Sequence, residues 1–145
     1  MIIDLHSDAF VWGWYGTQES RAELRRHARE AFTDDYRRHP QTYVAGALPR
    51  LPFTERSFDL ALCSHFLFTW SDILDEAWHR AALLELCRVA TEVRVFPLVV
   101  QGSGAAVPFL PALIHHLEGQ GLHCAVVTVA YEFQRGADQM LVVRH

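Results

Sequence analysis

The sequence predicts an α/β domain with a mainly parallel sheet, an antiparallel C-terminal hairpin and helices on both faces. From residue 42 onward, short apolar runs alternate with stretches of helical composition in the order β, β, α, β, α, β, β. Crossover helices between strands are typical of a parallel sheet covered on both faces. The last two strands have no helix between them, so we expect them to form an antiparallel hairpin.

The first third of the chain carries the weaker signals. Residues 2–5 are apolar enough for a short strand. Residues 20–39 have the Ala, Glu, Leu and Arg content of a helix, and Pro40 supplies its stop. Residues 42–45 are β-prone and end at Gly46. We therefore expect a strand, a long helix and a second strand before the proline-rich stretch that follows.

The rest of the chain has clearer periodicity. The apolar run at residues 59–63 predicts a buried strand, and it ends abruptly in the polar pair Ser64-His65. A helix over residues 74–90 is predicted by apolar side chains at helical spacing, namely Ile73, Ala77, Ala81, Leu84 and Cys87. The remaining predicted elements are a strand at residues 93–96, a helix reaching Glu118, and strands at residues 125–130 and 140–143.

Length and composition limit the class of protein. A chain of 145 residues suits a single domain, residues 1–145. No apolar run approaches the roughly 20 residues that span a bilayer, and the N-terminus lacks the pattern of a signal peptide. We therefore expect a cytoplasmic protein with no membrane partner. Cys63, Cys87 and Cys124 lie far apart in apolar surroundings, so we expect reduced core residues.

The charge pattern gives no indication of a nucleic-acid partner. The formal net charge is −4 at pH 7, which offers nucleic acid no general attraction. A local basic cluster consists of Arg21, Arg25, Arg26 and Arg29, and it is interleaved with Glu19, Glu23 and Glu30. We interpret this cluster as a solvated helix face and not as a phosphate site.

Three segments carry a family resemblance. They are LPF at residues 51–53 with SFDLALCSH at residues 57–65, LLELCRVA at residues 83–90, and EVRVFP at residues 92–97. In order and in letters they resemble class I S-adenosylmethionine-dependent methyltransferases of the small-molecule, ubiquinone/menaquinone type. The resemblance covers residues 43–145 and implies a partial Rossmann-like methyltransferase sheet. It also implies methyl transfer from S-adenosylmethionine to a small molecule.

The same resemblance implies site residues at the ends of two predicted strands. Gly46, Ala47 and Leu48 would line the adenine pocket, although the family usually has an aspartate where Ala47 stands. Cys63, Ser64 and His65 would lie near the methionine part of the cofactor, and Phe66, Phe68 and Tyr131 near the substrate. His65 is also the candidate general base, because an imidazole titrates near neutral pH.

The resemblance has a gap at the N-terminus. The family's first strand enters a G-x-G-x-G loop, whose glycines let the backbone approach the cofactor, and an acidic residue for the ribose hydroxyls follows later. Neither is recognisable here, since His6 and Asp8 stand where glycines are needed. Relative to the family the chain is expected to be N-terminally truncated, with weakened or absent cofactor binding.

Three other interpretations follow from the residues. A non-catalytic methyltransferase remnant would act as a binding or dimerisation module. The outer edge of the strand at residues 59–63 would then be paired by residues 42–45, by residues 1–5 or by a second chain in a homodimer.

The alternation of Asp4, His6 and Asp8 suggests the first metal-binding strand of a metallohydrolase, in which alternate residues ligate zinc or manganese. We nevertheless predict no metal. A Ser64–His65 dyad is not expected, because neighbours on a strand face opposite sides.

Overall fold

The computed structural model of the protein describes residues 7–145. The predicted strand at residues 2–5, and with it Asp4 and His6, lies outside the described residues. The described helices are α1 (Gln18–Arg38), α2 (Glu76–Val89) and α3 (Leu110–Gly119). The described strands are β1 (Phe58–Ser64), β2 (Ala90–Phe96), β3 (His123–Thr128) and β4 (Gln139–Arg144). None of the described helices is long and apolar enough to cross a membrane.

Side-chain caps explain where the two longer helices begin. The Thr17 hydroxyl accepts a hydrogen bond from the Ser20 amide at the start of α1. The Asp75 carboxylate accepts one from the Trp78 amide at 2.8 Å, so α2 begins at Glu76 and not at the predicted residue 74. Caps of this kind satisfy amide groups that have no partner within the helix.

The four strands form one sheet in the order β1-β2-β4-β3. β1 and β2 pair in parallel, and β4 is antiparallel to both β2 and β3. Three strands therefore share one direction, and only β4 is reversed. This arrangement confirms the predicted α/β class, the mainly parallel sheet and the antiparallel C-terminal hairpin. It is a partial Rossmann-like sheet.

The core lies on one face of this sheet. Val93, Val95, Leu141 and Val143 are neighbours in register and are almost completely buried. They pack in one cluster with Leu83, Leu86 and Cys87 from α2 and with Leu113 and Leu117 from α3. Both helices that pack on the sheet therefore cover the same face.

The expected helices on both faces are accordingly present on one face only. On the opposite face, the Glu92 carboxylate forms salt bridges with Arg94 of its own strand and Arg144 of β4. Such a network favours solvent over the apolar stripe of a packed helix. α1 does not supply the second layer, since none of its residues is buried.

The predicted strand at residues 42–45 is wrong. Pro40–Thr42 forms a turn of 3-10 helix, and Tyr43 packs back on α1. The Tyr43 ring lies 5.4 Å from the Phe32 ring and 5.1 Å from the Tyr36 ring, and its hydroxyl donates to the Asp35 carboxylate at 2.6 Å. Tyr43 thus packs on α1 in a local aromatic cluster, and Val44 stays exposed.

The predicted strand at residues 59–63 forms, but the prediction that it is buried is wrong. β1 is an edge strand within the part of the chain that the structure describes, and only Cys63 of its residues is buried. β2 lies on one side of it, and no described strand lies on the other. Leu62 on this strand is 71% exposed. Residues 42–45 do not pair with this edge and residues 1–5 lie outside the described range, so pairing by a second chain stays a prediction.

The connection into β1 is anchored at the far end of α2. The Glu85 carboxylate accepts a hydrogen bond from the Leu51 amide at 2.7 Å. The Arg88 guanidinium donates to the Phe53 carbonyl at 2.9 Å and pairs with Glu85. The Arg88 guanidinium beside Glu85 is the largest of the influences that lower the pKa of this carboxyl to about 2.

We expect Leu83→Ala to lower the free energy of unfolding by roughly 2–5 kcal/mol, because it removes a fully buried side chain and leaves a cavity. Leu62→Ala is the matched control on the exposed side, with an expected change of about 0.5 kcal/mol or less. Urea denaturation followed by circular dichroism measures both. Equal losses for the two variants would contradict the location of the core.

Glu85→Gln should make the free energy of unfolding fall less steeply in acid. A carboxyl whose folded pKa is depressed stabilises the fold above its unfolded pKa near 4.5, and this contribution is lost as the pH falls towards 2. The wild-type protein should therefore lose more stability than Glu85→Gln between about pH 5 and pH 2. Urea denaturation midpoints of both proteins, measured across this pH range, test the difference. If the two midpoints fall in parallel, Glu85 contributes nothing to the acid dependence of stability.

Candidate functional site

A cavity of about 610 Å³ lies beyond the carboxyl ends of β1 and β2. His65 comes directly after β1, and Phe96 with Pro97 comes at the end of β2. The segment between β3 and β4 closes another side with Tyr131, Phe133, Gln134 and Ala137, and α1 contributes Arg21 and Arg25. In open α/β sheets, ligands bind at this edge of the strands.

The N-terminal segment completes the cavity because it is tied to the connection between β3 and β4. The Val11 amide donates to the Phe133 carbonyl at 2.6 Å, and the Arg135 amide donates to the Ala9 carbonyl at 2.9 Å. The Phe10 ring stacks on the Phe133 ring with centroids 4.8 Å apart. These contacts carry the chain to Thr17, where α1 begins beside the cavity.

A pair of tyrosines lies in the wall of this cavity. The Tyr15 and Tyr131 hydroxyl oxygens are 2.7 Å apart, within hydrogen-bond distance. Burial, followed by the hydrogen bond to Tyr15, raises the pKa of Tyr131 well above its ordinary value. Tyr131 is therefore neutral at physiological pH, and it links the N-terminal segment to the C-terminal half of the sheet.

The charges in the cavity come from α1. The Arg21 guanidinium lies 4.3 Å from the centroid of the Phe133 ring and 5.7 Å from that of Tyr15, in the arrangement of a cation–π contact. Arg25, one turn further on, also lines the cavity. The lining of described residues contains no aspartate or glutamate.

His65 adopts a conformation that a regular strand would not allow. Its φ is +54°, in the left-handed region, and its amide donates to the Phe96 carbonyl at 2.7 Å. The turn brings the His65 Nδ1 atom to 2.8 Å from the Ser64 Oγ atom. The expectation that these neighbours face opposite sides is thus wrong, because the strand ends between them. Ser64 itself does not line the cavity.

The imidazole of His65 is neutral at physiological pH. Loss of solvent around the ring lowers its pKa, and the positive charges of Arg21 and Arg25 lower it further. All three influences disfavour the imidazolium ion. The ring can therefore accept a hydrogen bond or a proton from a molecule in the cavity.

The structure brings together only part of the site expected from sequence. His65 and Tyr131 both line the cavity. Cys63 and Phe68 are buried in the core, where the Phe68 ring stacks on His79 at 5.4 Å. Phe66 lies outside the cavity with its ring 5.9 Å from that of Trp78.

The expected adenine-binding residues lie elsewhere. Ala47 pairs with Arg50 in a tight turn, and a Cβ on Gly46 would meet Leu51 and Pro52 at 3.2 and 3.3 Å. Leu51 is bonded to Glu85 in the last turns of α2, near the amino end of β1. His65 lies at the opposite end of this seven-residue strand, roughly 20 Å away at 3.3 Å per residue. Gly46, Ala47 and Leu48 do not reach the cavity.

Arg21 and Arg25 are the site residues that sequence reasoning missed. The solvated-face interpretation is correct for Arg26, which pairs with Glu23 and Glu30. A spacing of four residues puts Arg21 and Arg25 on a different face of α1 from Arg26, and this spacing was the available signal. Only the packing of the N-terminal segment shows that this face lies against a cavity.

No metal centre is formed within residues 7–145, where no three His, Cys, Asp or Glu side chains come together in a group that could hold an ion. The metallohydrolase interpretation depended on Asp4 and His6, which lie outside the described residues.

Comparison with known proteins identifies the family. A family model described as a methyltransferase domain matches residues 12–94, which is more than half of the chain. The chain belongs to this methyltransferase family. The match begins well before residue 43, so the expected restriction of the resemblance to the C-terminal part is not confirmed.

Two curated proteins are similar to this methyltransferase-family chain. An uncharacterized protein of Methanocaldococcus jannaschii is 25% identical over 135 residues, which cover 93% of this chain and 58% of the relative. A tetraacyldisaccharide 4'-kinase of Polaromonas is 40% identical over 58 residues, which cover 40% of this chain and 17% of the kinase. The chain therefore spans little more than half of the first relative and a small part of the second. No solved structure matches it.

Methyltransferases of this family generally bind S-adenosylmethionine, but the described lining of this cavity does not fit two parts of that cofactor. Its ribose is usually bound by an acidic side chain, and the described lining has none. Its sulfonium carries a positive charge that Arg21 and Arg25 repel, and its carboxylate is the one group that they would attract. Gly102 lines the cavity, but a Cβ there would meet nothing within 4 Å, so it does not form a close cradle.

The pKa of His65 should rise when the two arginines lose their charge. In the double variant Arg21→Gln, Arg25→Gln, removing the repulsion makes the imidazolium less unfavourable, while burial keeps the pKa below 6.5. An NMR titration of the ring protons measures this pKa.

Arg29→Gln is the matched control, because Arg29 lies one turn beyond Arg25 and does not line the cavity. A shift as large in Arg29→Gln as in the double variant would contradict the proximity of Arg21 and Arg25 to His65.

Proposed function

We propose that this chain works as a small-molecule-binding module built on part of the methyltransferase fold, and that it does not itself hold the methyl donor. The observation that carries the proposal is the lining of the cavity, in which the described residues include aromatic and cationic side chains and no carboxylate. A concave, largely apolar cavity with a few convergent polar groups is the usual form of a small-molecule site.

Each group around the cavity has a role in this proposal. Tyr15, Tyr131 and Phe133 form an apolar wall that excludes water from a bound ligand. His65 offers a neutral ring nitrogen at the end of β1. The guanidinium groups of Arg21 and Arg25 supply positive charge. Binding and orientation need nothing more than these groups.

Methyl transfer to a small molecule is the second candidate function. Family membership favours it, and so does the position of His65, because a neutral imidazole beside the ligand could take a proton from an acceptor hydroxyl or amine. The substrate contacts would then come from Tyr131, with Phe66 and Phe68 supporting the chain that follows β1. This candidate requires a donor site, and it would make the chain an enzyme.

Calorimetric titration separates the two candidates. With S-adenosylmethionine or its demethylated product we expect no saturable heat up to millimolar ligand, because the described lining offers no carboxylate for the ribose that both share. The sulfonium of S-adenosylmethionine is in addition repelled by Arg21 and Arg25. Saturable binding at micromolar concentration, together with methyl transfer to any small acceptor, would establish the enzyme and overturn the binding-module proposal.

The cavity itself is tested by a blocking variant. Gln101 is exposed and lines the cavity, so Gln101→Trp should abolish the thermal stabilisation produced by small aromatic ligands. Ser103→Trp is the matched control, since Ser103 is exposed in the same loop and does not line the cavity. Ligands that stabilise both variants equally would show that binding occurs elsewhere.

A further inference from the structure

We propose that the cavity selects an aromatic oxyanion, a planar apolar molecule that carries a carboxylate or phosphate held between Arg21 and Arg25. This inference rests on the proposed function, because it names the class of ligand that the binding module takes. The two arginines lie one turn apart on α1, and both line the cavity.

The first argument is that these two arginines have no anionic partner among residues 7–145. Some of the other arginines do have one: Arg26 pairs with Glu23 and Glu30, Arg88 with Glu85, and Arg144 with Glu92. None of the salt bridges formed among the described residues involves Arg21 or Arg25. Like charges spaced four residues apart on a helix repel each other, so an anion placed between them is stabilising.

The second argument concerns the other groups that face the two arginines. The positive charges of both arginines help to lower the pKa of His65, and its ring is neutral. Tyr131 keeps its proton because burial raises its pKa. The described lining thus carries two positive charges and no negative one at neutral pH. A bound oxyanion would neutralise them in a partly desolvated space, where the attraction is stronger than in water.

The third argument identifies the body of the ligand as planar and aromatic. The Arg21 guanidinium lies over the Phe133 ring at 4.3 Å, so its plane is held while its N–H groups stay available. Guanidinium groups bind carboxylate and phosphate through two parallel hydrogen bonds. The rings of Phe10, Tyr15, Phe96 and Tyr131 line the space around this position. A ligand with an aromatic ring attached to the oxyanion would contact both features together.

Fluorescence titration of the full chain with 2-naphthoate and with its neutral analogue 2-naphthamide tests the inference. The two probes have nearly the same shape, so any preference for naphthoate reports its charge. We expect naphthoate to bind at least on the order of tenfold more tightly, and this preference should disappear in Arg21→Gln, Arg25→Gln. 2-Naphthyl phosphate distinguishes the two oxyanions, and a preference for either one over the amide supports the proposal.

Arg29→Gln is the control for general loss of charge on α1, and it should keep the preference for naphthoate. Equal binding of naphthoate and naphthamide would overturn the oxyanion inference and leave the binding module intact. Failure of all three probes to bind would overturn both proposals. A preference that falls equally in Arg29→Gln and in the double variant would also overturn the inference, because the charge would then act at long range and not within the cavity.

Discussion

The parallel pairing of β1 with β2 is the constraint on which the rest of the structure depends. It sets Ser64 beside Phe96 and continues for one more residue through the bond from the His65 amide to the Phe96 carbonyl. The chain can then turn only where that ladder stops, and His65 takes the left-handed conformation there. α2 is the crossover that this pairing requires. Its first turns are bonded to the segment after β1 through His79 and the Leu67 carbonyl, and its last turn to the segment before β1 through the Arg88 carbonyl and the Arg56 amide.

A second set of contacts converts this strand edge into a cavity. The segment before α1 is bonded to the connection between β3 and β4, chiefly through Phe133. The Phe133 carbonyl accepts a hydrogen bond from the Val11 amide, and its ring contacts Phe10 and Arg21. Without this tie the carboxyl end of the sheet would be an open surface. The cavity is therefore made by residues far apart in sequence. Among its described lining residues, the positive charges come from α1, a helix that buries none of its own residues.

The chain keeps the sheet of its family but differs from it in the chemistry at the edge of that sheet. The strand order and the reversed last strand agree with a methyltransferase-like layer, and the family match agrees with them. The charges in the cavity favour an anion over a sulfonium, and the turn at Gly46 to Leu48 lies at the wrong end of β1 to hold an adenine beside it. Fold and ligand preference are separable properties, because packing determines the first and a few side chains determine the second.

The sequence by itself determined the class of fold, the helix boundaries to within two or three residues and the reversal of β4, because periodicity and missing crossovers are local signals. It also pointed to His65 and Tyr131, which follow predicted strands and line the cavity, and their part in binding stays a prediction. Tertiary structure alone decided that Tyr43 joins α1 instead of a strand, that Phe68 is buried, and that Arg21 and Arg25 face a cavity. Each of those outcomes depends on which distant segment packs against the residue, and the pattern of a single stretch of sequence does not contain that information.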